Sequence, residues 1–163
     1  MPTPAQLIHF LDQEDARTRD MIRRYGWAIE YVYGSQRSGP PFGYTVGLSG
    51  YEHPELILFG WGTANTGYML NELGARIREG DRMYDGRIVA FEEGVHRALL
   101  IEVPDSATHL VAANRVYREP GEPPVPALQV VTDDRWGYFP WEQGYSEPDE
   151  RQPVLGTRPG TAQ

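Results

Sequence analysis

The chain contains no cysteine, and all 15 of its basic residues are arginine, so lysine is absent as well. The first absence excludes disulfides, thiolate catalysis, iron–sulfur clusters and cysteine-ligated zinc. The second excludes a protein-derived Schiff base, the usual tether of pyridoxal phosphate, and the lysine of a Walker phosphate loop. Positive charge is short overall. With 23 acidic residues against 15 basic the net charge is −8, and no basic run interrupts it. That argues against a nucleic-acid partner, because such affinity comes largely from neutralising phosphates. No apolar run approaches the ~18 residues needed to span a bilayer, and no signal-peptide core follows Met1. The expectation is a cytoplasmic protein with no membrane partner.

What is present is enough for one core. At 163 residues and 40% hydrophobic content, the chain is expected to form a single globular α+β domain over residues 1–144. Residues 145–163 are acidic, then rich in Pro, Gly and Thr, and are expected to be a disordered tail. Thr3-Pro4-Ala5-Gln6 is a capping box with proline at the first helical position, and Gly26 suits the end of that helix. Trp27 to Tyr33 alternates as a strand. After Trp61 the period changes, and Met69, Leu70, Leu73 and Ile77 fall on one helical face ending near Gly80. Arg87–Phe91 and His96–Val103 read as strands about a Glu92-Glu93-Gly94 turn. Asp105 or Ser106 can cap a third helix, and Ala127–Thr132 is the last strand. The order α-β-β-β-α-β-β-α-β implies a mixed, mostly antiparallel sheet of about six strands packed with two to three helices.

The stretch from Phe42 to Trp61 holds the longest β-favouring run. Period-2 reading places Phe42, Tyr44, Val46 and Leu48 on a core face and Gly43, Thr45, Gly47 and Ser49 on the other. The second row is a face of minimal side chains, which invites something to approach the backbone. Leu56 to Trp61 is apolar on both faces and reads as a central strand, with Gly50-Tyr51-Glu52-His53-Pro54 closing an antiparallel pair.

These residues resemble a bacterial family, domain of unknown function 4262. The likeness rests on Tyr44-Thr45-x-Gly47-Leu48, His53-Pro54-Glu55-Leu56 and Leu70-Asn71-x-Leu73. Gln129, Asp133, Gly137-x-x-Pro140-Trp141 and the leading Gly26-Trp27 extend it over roughly residues 20 to 142. The resemblance implies domain identity and motif choice; it brings no activity. The small-residue strand with its Thr-x-Gly-x-Ser pattern is also similar to the core of flavin-reductase-like split barrels, which would make flavin the cofactor.

The expected function is binding of a small molecule or cofactor in a pocket near the Tyr44–Leu56 hairpin. The candidate ligand-binding residues are Tyr44, Thr45, Gly47, Ser49, His53, Glu55, Asn71, Asp133 and Trp141. If that pocket is open, Gly47→Val should leave stability nearly intact. Two alternatives stand beside it. One is a non-catalytic protein–protein interaction module using the acidic tail and the Trp136–Trp141 segment. The other is a metal-dependent hydrolase in which His53 is joined by carboxylates from Glu52, Glu55 or Asp133, or by His96 or His109. Against the metal stands a plainer reading, a turn whose His53 and Glu55 hydrogen-bond the backbone. Gly60 to Asn65 is a strand-to-helix junction able to receive an anion or simply to be a capped helix. Thr45 and Ser49 have no histidine–acid partner in the pattern, so nucleophilic catalysis is a poor fit.

Overall fold

The computed structural model describes residues 1–160. Helix α1 spans Pro4–Tyr25, and its capping box is complete: Thr3 Oγ1 accepts from the Gln6 amide, and the Gln6 side chain accepts from the Thr3 amide. Gly26 ends it at φ 99°. Strands β1 (Ala28–Val32), β2 (Phe42–Val46) and β3 (Glu55–Phe59) precede α2 (Thr63–Arg78). Then come β4 (Ile88–Ala90), β5 (Arg97–Glu102), α3 (Val111–Tyr117) and β6 (Ala127–Thr132).

The six strands form one open sheet in the order β1-β2-β3-β6-β5-β4. Every pairing is antiparallel except β3 with β6, which run parallel in the centre. The α+β class and the mixed six-stranded sheet follow the sequence pattern. The likeness to a split barrel does not extend to topology, since β1 and β4 are free edges rather than neighbours.

Both faces of the sheet are covered, as the two-sided apolar character of β3 requires. On one face α2 packs Met69, Leu70, Leu73 and Ile77 against Leu56, Leu58, Leu100, Leu128 and Val130. On the other, α3 and part of α1 cover Tyr44, Val46, Ile57 and Phe59. Beside them Phe139, with Trp141 and Val154, covers Leu99, Ile101 and Val131. The turn after β2 redirects one side chain: Leu48, expected beside Tyr44 and Val46, joins the α2 side instead. Gly47 at φ 141° causes this by ending the strand and opening a 3-10 turn over Leu48–Tyr51.

The expectation of a disordered tail from residue 145 is corrected for the described part. Gln152 is buried, and its carboxamide pairs with both backbone groups of Thr132: the Thr132 amide donates to Oε1 at 2.9 Å, and Nε2 donates to the Thr132 carbonyl at 2.9 Å. Gln129 is fully buried and holds the chain one step further on, donating to the Pro153 carbonyl and accepting from the Leu155 amide. Polar composition misled here because side-chain amides, more than apolar surface, hold the segment to the sheet. Residues 161–163 of the expected tail lie outside the described residues.

Candidate functional site

The hairpin comes first, because six of the nine candidate residues lie on it. Glu55 opens β3 fully buried, and its carboxylate accepts from five donors. Three are successive amides, Gly47 at 3.1 Å, Leu48 at 3.0 Å and Ser49 at 3.0 Å. The others are the hydroxyls of Thr45 at 2.8 Å and Ser49 at 2.7 Å. Consecutive amides around a turn make an anion-binding concavity. Here the chain's own carboxylate fills it. Burial pushes the Glu55 carboxyl above its ordinary pKa, and the Ser49, Gly47 and Thr45 donors pull the other way.

The small-residue face is therefore closed, not open. A β-carbon on Gly43 would meet the Thr66 methyl, and one on Gly47 would lie 2.6 Å from the Trp27 Cα. Tyr44 is spent as well: its hydroxyl accepts the Ala112 amide at 3.0 Å, capping α3, and burial raises its pKa to about 12. His53 is buried with both nitrogens engaged, Nδ1 with the Pro54 carbonyl at 2.8 Å and Nε2 with the Met83 amide at 3.0 Å. Nε2 must be the acceptor there, so the ring is held neutral and cannot ligate a metal. Among the described residues, no group of three or more His, Asp or Glu side chains converges to hold one. Asn71 sits on α2 and accepts from the Trp27 indole at 2.9 Å. Trp141 stacks on Phe139 at 5.2 Å.

Asp133 alone of the nine stands at a different kind of place. The central parallel strands end together, β3 at Phe59 and β6 at Thr132. From β3 the chain turns through Gly60 and Trp61 to α2 on one face. From β6 it turns through Asp133 and Asp134 to Phe139 on the other. Chains that diverge from neighbouring carboxyl ends leave a crevice, the usual ligand position in open sheets. The crevice here has a volume of about 350 Å³, and its walls include Trp61, His96, Asp133, Arg135, Tyr145 and Arg151.

Asp133 is buried and holds three groups. It accepts from the Arg97 amide at 3.0 Å, from Arg97 Nε at 3.2 Å and from His96 Nδ1 at 3.2 Å. The same Nδ1 faces the Asp133 carbonyl at 3.1 Å. Two acceptors leave Nδ1 the proton when the ring is neutral, so the lone pair belongs to Nε2. That nitrogen has no hydrogen-bond partner among the described residues, and none of their buried side-chain polar atoms is left unsatisfied. It is therefore open to solvent, on a residue that lines the crevice.

The wall opposite is built by the C-terminal segment. Arg151 donates to the Gly60 carbonyl at 2.8 Å, pairs with Glu147 at 3.0 Å and lies 5.0 Å from the centre of the Trp61 ring. Trp61 in turn meets the His96 ring edge-on at 4.9 Å and donates to Thr132 Oγ1. Asp134 is committed to structure. Burial would raise its pKa, but the Tyr138, Ser146 and Trp136 amides and the Ser146 hydroxyl outweigh it and hold the carboxyl at about 2. Sequence reasoning named Asp133 but left out Trp61, Tyr145 and Arg151 and weighed His96 only as a metal ligand. The one available signal was the position of Trp61 and Asp133 just past two β-rich runs.

A family model described as a domain of unknown function, DUF4262, matches residues 21–146. No curated protein and no solved structure matches the chain. The matched span contains Trp61, His96, Asp133 and Tyr145, while Glu147, Arg151 and Gln152 of the opposite wall lie past its end.

Proposed function

Because the chain belongs to the DUF4262 family, a domain of unknown function, we propose its role from the site itself: it binds a small molecule in the crevice beyond β3 and β6. The observation that carries this reading is the free Nε2 of His96, a residue fixed in tautomer by Asp133 that lines a cavity of about 350 Å³. That size lies at the lower end for small-ligand sites. Trp61 and Tyr145 offer aromatic walls, and among the lining residues Arg135 and Arg151 stand against Asp133, Asp134 and Glu147. A neutral or singly charged ligand fits such a site better than a polyanion. The hairpin pocket is replaced by this one, since Glu55 already occupies the hairpin's donors.

The test is thermal unfolding against a panel of small carboxylic acids, their esters and flavin mononucleotide, with His96→Ala and Trp61→Ala alongside. A ligand at a hundred times its Kd adds about 2.7 kcal/mol. The expected result is a raised Tm in the native protein that both variants lose. A panel without any shift, or a shift that both variants keep, would end the proposal.

A protein-interaction role retains one supporting observation. Phe139 and Trp141 turn inward, but Trp136 is left 69% exposed. In that case Trp136→Ala would abolish partner capture and leave ligand shifts untouched.

A further inference from the structure

The crevice holds a base but no side chain suited to covalent attack. Of the hydroxyls in its walls, Thr132 Oγ1 donates to Gln152 Oε1 at 3.0 Å and accepts from the Trp61 indole at 3.1 Å, so it is doubly committed. The Tyr145 hydroxyl accepts from Gln152 Nε2, and burial pushes its pKa up, which makes it a poorer nucleophile. Cysteine and lysine are missing from the whole chain. A nucleophile activated by His96 must therefore come from solvent.

Two cations line the same crevice as the base. Arg151 projects from the C-terminal wall, steadied by Gly60 and Glu147. Arg135 lies exposed at the rim with no ion pair among the described residues. Guanidinium groups facing a developing oxyanion lower the barrier to acyl transfer. Asp133 is fixed to β5 through the Arg97 amide, so it holds the imidazole in register with the sheet.

We propose that the crevice is a hydrolytic site for small, uncharged carboxylic esters, in which His96 activates water and Asp133 positions the imidazole. This rests on the binding reading above. As the water oxygen bonds to the carbonyl carbon, one of its protons passes to His96 Nε2, and the oxyanion faces Arg135 and Arg151. Collapse breaks the bond to the leaving oxygen, and His96 returns the proton to it. An acid and an alcohol depart, and the enzyme is unchanged. No oxidant, reductant or co-reactant beyond water is required.

The experiment uses the full chain with 4-nitrophenyl acetate, and with 4-nitroacetophenone as an uncleavable analogue read by thermal shift. Free imidazole also cleaves this ester, so His9→Gln, on the exposed face of α1, gives the surface background. The expected result is hydrolysis that rises with pH, lacks a burst and falls about 100-fold or more in His96→Gln, while His9→Gln is unchanged. His96→Gln should retain its fold by melting. Binding of the analogue without His96-dependent hydrolysis would overturn the catalytic inference and leave the binding reading standing. A burst stoichiometric with protein would overturn the water route in favour of an acyl intermediate. Neither binding nor hydrolysis would remove this ester class, and the catalytic inference with it.

Discussion

A carboxylate with five donors is the least replaceable residue in the hairpin. In Glu55→Gln the new amide hydrogens would face groups that are themselves donors, and at least one amide of the Gly47–Ser49 turn would lose its acceptor. Leaving a buried polar group unpaired costs about 1–3 kcal/mol, and more beside a former charge. With about 2–4 °C per kcal/mol for a chain of this size, a melting curve should fall by roughly 2–12 °C. An unchanged Tm would mean that the carboxyl is held protonated in the fold. Gly47 has the second sharp expectation, and it reverses the one drawn from alternation. Its φ of 141° excludes a β-branched residue, and its missing β-carbon faces the Trp27 backbone. Gly47→Val should therefore cost more than the about 1–3 kcal/mol of ordinary overpacking, read as a large loss in urea midpoint. A small loss would mean that the turn can move. The motif residues were visible in the sequence, but their purpose was not. Period-2 reading sees a row of small side chains and cannot see that a carboxylate ten residues from Thr45 has been folded back among them.

Elements were far more legible than their meeting places. The order of three helices and six strands follows from changes of hydrophobic period, and the start of α1 from its capping box. The central pairing of β3 with β6 does not, because nothing local joins Ile57 to Gln129, 72 positions further along the chain. The crevice exists only because of that pairing, so its residues were scattered over the sequence and only Asp133 was singled out as a ligand residue. The C-terminal segment was lost for a related reason. Its hold on the sheet is two glutamine side chains imitating a neighbouring strand. Gln152→Ala should consequently behave unlike a surface change. It strands the amide and carbonyl of Thr132 at the end of β6, at a cost of about 1–3 kcal/mol. It also frees Arg151 from its seat on Trp61, one residue away. The measurable outcome is faster proteolysis after Tyr145 together with altered Trp61 fluorescence. Cleavage at the native rate would show that Gly60 and Gln129 hold the segment alone.

At the scale of the whole molecule the buried polar groups set how stability answers to pH. His53 keeps its lone pair for the Met83 amide, and burial lowers its pKa below the ordinary 6.5. His109, set between Phe42 and Phe59, is lowered by burial too. A base whose folded pKa is depressed gains protons more readily in the unfolded chain. Its contribution is therefore intact above about pH 6.5 and is lost as pH falls from there through the folded value. Asp134, held at about 2, loses its contribution in a lower window, from the ordinary 3.8 down to about 2. Glu55 runs the opposite way, since a carboxyl raised by burial favours the fold as pH falls from its folded value to the ordinary 4.5. Its burial thus opposes the loss from the histidines and is complete before the aspartate window opens. Urea unfolding at pH 8, 6 and 5 should show a plateau followed by a decline that begins near pH 6.5. The assignment is checked with His53→Gln, whose side-chain oxygen can still accept from Met83 but cannot take a proton. That variant should flatten the decline and leave the drop below pH 4 in place. If it declines as steeply as the native protein, the histidine that senses pH is His109, and His109→Gln becomes the variant that flattens the curve.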